Sequence, residues 1–363
     1  MFKRETWRNF DFWLFGAVIF LTMFGIMMIR SAIAGNIELA NHMNRQITFA
    51  LIGLGVMVVV TLIDYRFLRS FSKLMYVFTV LFLGVILIAG TTSFGAQRWL
   101  EVGLVNIQPA EIAKIVLILV LADYFSKQYY KEKNLKWIMM SGLLVAGIVI
   151  LIILQPNLST SILLLVIWFS MLWISGLKPK YILYMGLLGI VLGIVAFPFL
   201  EPYQQQRITT FLFPDPNARY GNTYNIEQAL ITIGSGGWLG QGYAHGTQVQ
   251  LRFLKVRTTD YIFSAVAEEF GFIGTIVLIA LLAFVIYRCL RAARMATDLY
   301  GAMIAYGFST LILFQTLVNI GVNLKLIPVT GQTLPFISYG GSSLLSLMLG
   351  IALIESVLVH QKR

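Results

Sequence analysis

FWLFGAVIFLTMFGIMMIRSAI, residues 12–33, decides the fold class. A bilayer core of about 30 Å needs about 20 apolar residues per helical span, and this run supplies them. It is too long, and too weakly followed by a small-residue cleavage site, to read as a removable signal peptide, so it is expected to stay as the first span. Comparable runs recur at about 46–63, 74–90, 109–126, 137–155, 160–176, 181–200, 261–287, 302–324 and 342–359. Apolar residues make up 58% of the chain and charged residues 12%, a balance that a water-soluble fold has no use for. The expectation is an all-α integral membrane protein. It is a ten-transmembrane-helix bundle, a single polytopic membrane domain over residues 1–363 with a long extracytoplasmic loop at 201–260 between spans 7 and 8. Only Gln155-Pro-Asn-Leu-Ser159 separates spans 5 and 6, which predicts a tight hairpin or a broken helix.

Lysine and arginine set the orientation. With the N-terminus inside, 17 of the 27 basic residues fall on cytoplasmic segments, and half of the other ten lie in the long segment 201–260. Both termini are therefore expected in the cytoplasm and the long segment outside. This topology accounts for most of the net charge of +11, so nucleic acid is not an expected partner. Cys289 is the single cysteine, which excludes an internal disulfide. His42, His245 and His360 are too scattered for a histidine metal cluster, and no phosphate-binding Gly-rich loop ending in Lys-Ser or Lys-Thr is present. No organic cofactor is expected, and ATP-driven work by this chain alone is not indicated.

The outward segments carry the chemistry. Arg257-Thr-Thr-Asp260-Tyr-Ile-Phe-Ser264 runs from the polar loop into the eighth span. A carboxylate at the mouth of a membrane helix is a functional-site candidate, although Thr259 or Asp260 could equally cap the helix. Helical spacing puts Asp260, Ser264, Ala267 and Gly271 on one small, polar stripe suited to facing a cavity. Glu111 and Lys114, three apart, read either as a structural ion pair or as substrate contacts. Trp99 reads as an interfacial anchor or a binding residue, with Arg98 beside it. In the long loop Arg207, Arg219, Arg252, Lys255 and Arg257 suit a phosphate-bearing ligand, residues 224–233 have helical spacing that could lie on the membrane surface, and Gly234–Gly242 is glycine-rich. Pro328–Ser343, with Asn319 and Asn323 one turn apart before it, predicts irregular backbone next to protein or water.

These residues carry a resemblance. Gly95-Ala-Gln-Arg-Trp99, Gln108-Pro-Ala-Glu-Ile-Ala-Lys114, Gly234 to Gln248, Thr259-Asp-Tyr-Ile-Phe263 with Glu268-Glu-Phe-Gly271, and Leu334-Pro-Phe-Ile-Ser-Tyr-Gly-Gly-Ser342 together resemble the SEDS (shape, elongation, division and sporulation) proteins over essentially the whole chain. Gln97 and Asn9-Phe-Asp-Phe-Trp13 look more like the elongation member than the division member, whereas Gly321-Val-Asn323 and Thr330-Gly-Gln-Thr-Leu334 look somewhat more like the division member. Lys255-Val-Arg257 and Asn157 depart from the family pattern. The resemblance implies a peptidoglycan glycosyltransferase that polymerises lipid II during cell elongation, in the bacterial plasma membrane. It implies a class B penicillin-binding protein, other elongation-complex membrane proteins and undecaprenyl lipid as partners. It also implies an essential acid at Asp260, acting as general base or holding a divalent cation (magnesium or manganese). Arg98, Trp99, Gln108, Glu111, Lys114, Ser264, Ser338 and Tyr339 are the candidate substrate-binding residues. The rivals are a lipid II flippase, a division-type polymerase and a non-catalytic scaffold.

Overall fold

The structure is a computed structural model and describes residues 9–33, 35–36, 39–89, 91–93, 96–102, 105–130, 132–214 and 221–361, with backbone alone at 89–107. Its elements in chain order are α1 (Phe12–Ile33), α2 (Ala40–Thr61), the short α3 (Arg66–Ser70) and α4 (Ser72–Ala89). A small sheet follows, β1 (Thr91–Ser93), β2 (Ala96–Val102) and β3 (Val105–Ile107). Then come α5 (Pro109–Lys127), α6 (Leu135–Leu154), α7 (Leu158–Ile174), α8 (Pro179–Ala196), α9 (Pro202–Leu212), α10 (Gly221–Ser235), α11 (Thr247–Gln250), α12 (Ile262–Met295), α13 (Leu299–Asn323) and α14 (Gly341–Val359).

Each of the ten apolar segments coincides with a helix. Among the described residues, seven are long and apolar enough to cross a membrane, and Ser72–Ile88 and Leu158–Ile174 are shorter apolar helices. The remaining one, α5, carries Glu111, Lys114, Asp123 and Lys127, yet most of its length is buried. The protein is a multi-pass membrane protein built almost wholly of helices. The antiparallel sheet β1-β2-β3, which the apolar periodicity did not foretell, links α4 to α5.

Local chemistry sets the boundaries. Pro109 opens α5 at a position where a missing N–H costs nothing. Asn134, Asn157 and Asp298 cap α6, α7 and α13, accepting from the N–H groups of Trp137, Thr160 and Gly301. Gln155-Pro156-Asn157 is therefore a helix break, with Gln155 Nε2 donating to the Leu83 carbonyl at 3.1 Å.

The core is formed by α5, α13 and α14, with α14 packed along α2 and α12 along α13 and α1. Small residues permit the close approach: a Cβ on Gly350 would meet the Phe308 ring at 2.5 Å, and one on Gly307 would meet Ile118 at 2.7 Å. By contrast, α8 buries no residue. The ends of α1, α12 and α14 remote from Asp260 are tied by Arg288, whose Nε donates to Asp11 at 2.7 Å, and by Glu355, which accepts from the Asp11 N–H at 3.0 Å. Asp123 takes Arg69 at 3.0 Å and Lys127 at 2.6 Å on the same side.

Two paired substitutions test this division. Gly350→Val should lower unfolding stability in detergent by about 1–3 kcal/mol through overpacking. Gly186→Ala on α8, where a Cβ meets nothing within 4 Å, should not lower it. Thermal midpoints of the two variants check both outcomes.

Candidate active site

The site is organised by a break in α12. Gly271 has φ 67° and ψ −166°, which interrupts the helical ladder. The loop Gly236–Gly242 fills the interruption. The N–H groups of Phe272 and Ile273 donate to the carbonyls of Gly237 and Trp238 at 2.8 and 3.1 Å, and the carbonyls of Glu268 and Glu269 accept from Gln241 and Gly242 at 2.9 and 3.0 Å. The approach is too close for any side chain: a Cβ on Gly236 would lie 1.9 Å from the Ala267 carbonyl oxygen. Glu268, fully buried, accepts from the N–H groups of Gln248 and Val249 at 2.8 and 3.1 Å, so its carboxylate holds the start of α11. The helical reading of 224–233 holds as α10, but α10 packs along α12, with Ile226 and Ala229 buried.

This arrangement overturns the cavity-facing stripe. Ser264, Ala267 and Gly271 are buried, because α13 and the glycine loop cover them. Ser264 donates its hydroxyl to Asn323 Oδ1 at 2.6 Å, and its N–H reaches the same oxygen at 3.1 Å. An amide of α13 thus occupies the place an N-cap side chain would take, and Asp260 does not cap the helix.

Asp260 sits in the turn before α12, and its backbone is immobilised from three sides. Its carbonyl accepts from Asn319 Nδ2 at 3.1 Å and Asn323 Nδ2 at 2.8 Å. Ser338 Oγ donates to the Thr259 carbonyl at 2.7 Å and itself accepts from the Leu334 N–H at 2.9 Å. The Tyr339 N–H donates to the Thr258 carbonyl at 2.8 Å. The Asp260 side chain is half-buried and makes no ion pair among the described residues. Burial pushes its carboxyl up to about 6, against the Arg207 guanidinium and a hydrogen bond from Thr259, both of which favour the charged form. Across from it lies Gly331, where a Cβ would stand 3.9 Å from Asp260 Oδ2.

The other sequence-derived residues fall in two groups. Ser338 is buried against the Asp260 turn, whereas the Tyr339 ring stacks on His42 at 3.8 Å. Glu111 and Lys114 form a buried pair at 2.6 Å, and Ser346 of α14 donates to the same Glu111 carboxylate at 2.6 Å. The Gln108 N–H donates to Ser342 Oγ at 3.2 Å, which joins the start of α5 to the start of α14. The backbone of Arg98 and Trp99 lies in β2, with Trp99 opposite Thr91; their side chains lie outside the described residues, as does Arg219. Arg257 donates to the carbonyls of Ala32 and Ile33 at the end of α1. It therefore neutralises a helix C-terminus and is not free to hold phosphate.

Sequence reasoning passed over Gln46 and His42. Gln46 Nε2 donates to the Ser338 carbonyl at 3.3 Å, and its Oε1 accepts from the Gly340 N–H at 3.2 Å. The signal was the pair His42 and Gln46, one turn apart at the head of an apolar helix.

A family model for cell cycle proteins of the FtsW, RodA and SpoVE type matches residues 12–363. The chain is 37% identical to peptidoglycan glycosyltransferase MrdB of Escherichia coli K12, over 94% of this chain and 91% of that protein. It is 36% identical to stage V sporulation protein E of Bacillus subtilis, over 86% of each. The probable peptidoglycan glycosyltransferase FtsW of Hydrogenovibrio crunogenus is 34% identical, over 96% of this chain and 91% of that protein. Among solved structures, a chain from a study of how a peptidoglycan synthase complex coordinates polymerization and crosslinking superposes with a TM-score of 0.83 at 27% identity, covering 97% of this chain and 99% of that one. The Thermus thermophilus rod shape determining protein RodA superposes at 0.73, also at 27% identity, covering 97% and 98%.

The buried ion pair generates a stability prediction. Glu111→Ala leaves the Lys114 ammonium buried and unpaired, so unfolding stability in detergent should fall by about 3–5 kcal/mol. Glu111→Leu combined with Lys114→Met should recover most of that loss. A Glu111→Ala protein melting with the wild type would show that the pair does not hold the bundle.

Proposed function

The chain belongs to the FtsW/RodA/SpoVE family of cell cycle proteins, and from that premise we propose that it is a peptidoglycan glycosyltransferase of the elongation type. It polymerises lipid II at the outer face of the bacterial plasma membrane, with ten crossings and both termini in the cytoplasm. The observation that carries this reading is Asp260: its backbone is held from three sides while its carboxylate, among the described residues, is in neither an ion pair nor a helix cap.

Glycan extension joins a sugar hydroxyl of one lipid-linked disaccharide to the anomeric carbon of another, whose leaving group is the pyrophosphate-lipid. The hydroxyl is a poor nucleophile. Asp260 takes its proton as the C–O bond forms, a role that contributes about 10²- to 10⁴-fold. A carboxyl raised to about 6 is a stronger base than an ordinary aspartate and is still ionised at neutral pH. Ser264, Ser338, Asn319 and Asn323 position the turn that carries it. Gln108 and Tyr339, with Arg98 and Trp99 on β2, are the proposed surroundings of the substrate, while the buried Glu111–Lys114 pair supports the bundle.

The described residues hold no group of three or more carboxylate, histidine or cysteine ligands, so they do not form a resident metal cage. In the alternative role Asp260 would not be the base but the single carboxylate ligand of a magnesium or manganese ion, a mode usual for such hard ions. Bound there, the ion would neutralise charge on the pyrophosphate. We further propose a class B penicillin-binding protein as the crosslinking partner, with other elongation-complex membrane proteins beside it. Support comes from the likeness to a chain of a complex that couples polymerization to crosslinking.

The flippase reading requires a substrate path open at both ends. At the end remote from Asp260, Asp11, Asp123 and Asp298 are engaged by Arg288, Arg69, Lys127 and Arg66, which favours the polymerase.

Polymerisation of purified lipid II, assayed with a partner lacking its own glycosyltransferase activity, tests the proposal. Wild type should make polymer and Asp260→Asn should make none; equal polymer from both would remove Asp260 from the chemistry. Because the base must be ionised, kcat/KM should fall as pH drops through about 6. The raised carboxyl also has a sign for stability: its contribution is present at low pH and is lost as pH rises through about 6. Asp260→Asn should therefore melt no lower than wild type at pH 7.5, measured in detergent.

A further inference from the structure

We propose that Arg207 receives the pyrophosphate leaving group beside the Thr330–Gly331 turn that the Asp260 base also meets. This inference rests on the polymerase reading and assigns the second charge that the reaction requires.

Geometry places the two groups against adjacent residues of one turn. Arg207 lies in the middle of α9, and its Nη1 donates to the Thr330 carbonyl at 3.4 Å. The guanidinium also sits over the Tyr203 ring, 5.6 Å from its centroid. Tyr203 in turn donates its hydroxyl to the Pro156 carbonyl at 2.5 Å, which docks α9 on the break between α6 and α7. Ser159, in the first turn of α7, donates to the same Thr330 carbonyl. The next residue, Gly331, is the one whose Cβ would stand 3.9 Å from Asp260 Oδ2. Arg207 and Asp260 thus meet adjacent residues, yet they form no ion pair among the described residues.

That separation is informative. A guanidinium and a carboxylate free to touch would gain by forming a bidentate bridge, and such a bridge would make the carboxylate a poorer base. Displacement at an anomeric carbon needs the two charges near each other and apart. The new C–O bond forms on one face as the proton passes to Asp260. The bond from the anomeric carbon to the pyrophosphate oxygen breaks on the other face, and its electron pair stays on that oxygen. The reacting carbon belongs between base and cation. Gly331, with φ +75°, puts no side chain beside the Asp260 carboxylate.

Two other outer cations are already engaged. Arg257 is engaged by carbonyls at the end of α1, and Lys114 is buried on Glu111. Arg207 is half-buried and gives one of its five N–H groups to Thr330, which leaves the planar fork that matches phosphate.

The test uses full-length protein in detergent, as wild type, Arg207→Lys and Arg207→Gln. Polymerisation from lipid II is measured as kcat and KM. Binding of farnesyl pyrophosphate is compared with that of farnesyl monophosphate, and the thermal midpoint is recorded for each protein. Arg207→Gln should lose about 10²- to 10³-fold in kcat, the loss typical of removing one charge-stabilising donor. It should also lose the wild-type preference for pyrophosphate over monophosphate, while Arg207→Lys keeps part of both. A merely structural arginine would lower the midpoint without changing that preference, and this result would overturn the inference. Wild-type kcat with an unchanged preference in Arg207→Gln would overturn it as well, leaving the polymerase reading intact. If wild type makes no polymer, the polymerase reading fails by itself. Arg207 is then judged by binding alone: a preference lost in Arg207→Gln supports the pyrophosphate contact, and a preference unchanged or absent in wild type rejects it.

Discussion

The break of α12 at Gly271 and its repair by the glycine loop is the constraint on which the outer half of the molecule depends. A helix interrupted at membrane depth exposes carbonyls and N–H groups that lipid cannot satisfy, each costing several kcal/mol if left bare. Here the Gly236–Gly242 backbone supplies both donors and acceptors to the broken ladder. The exchange works only because Gly236, Gly240 and Gly271 lack side chains; a Cβ on Gly240 would lie 2.2 Å from the Glu269 carbonyl oxygen. Once docked, the loop brings Gly246 against the Glu268 carboxylate, where that acid organises α11.

From that anchor the position of the Asp260 turn follows. After α11 the chain has only nine residues before Asp260, and Arg257 fastens them to the end of α1. Asn319 and Asn323 then take the Asp260 carbonyl from the α13 side, and the Ser338 loop takes the Thr258 and Thr259 carbonyls from the other. Backbone groups hold the turn, so the carboxylate itself is left over. A half-buried acid with no cation in contact among the described residues is an unfavourable arrangement for folding alone. It persists because the surroundings are fixed by other bonds.

Helix positions were legible in the sequence because a membrane span has a length and an apolarity that no other element shares. The 12–33 run matches α1 end to end, and the Gln155-Pro-Asn157 break lies where proline and two amides put it. The acid was legible as a charge where charge is costly. What escaped were relations between distant segments. Periodicity treats 261–287 as one helix and places Ser264, Ala267 and Gly271 on an open stripe; nothing in that window says that residues 236–242 will dock on it. The short sheet was hidden because β1 and β3 have three residues each, too few for an alternating pattern. Gln46 is likewise one polar residue on an apolar helix, and only its contact with the Ser338–Gly340 loop gives it meaning.

The two proposed charges stand on supports of unequal stiffness, and the difference bears on repeated turnover. Asp260 is carried by α12 and α13, which are packed into the core along much of their length. Arg207 is carried by α9, where Gln204 alone is buried, and α9 follows α8, which buries nothing. Elements with few buried contacts open at low free-energy cost, whereas core elements open only with the whole fold. A polymerase must keep its base aligned through every cycle while a lipid-linked pyrophosphate leaves after each bond is made. With the proposed base in the core and the proposed leaving-group cation on α9, which packs little against the rest of the protein, release would proceed without disturbing the acid.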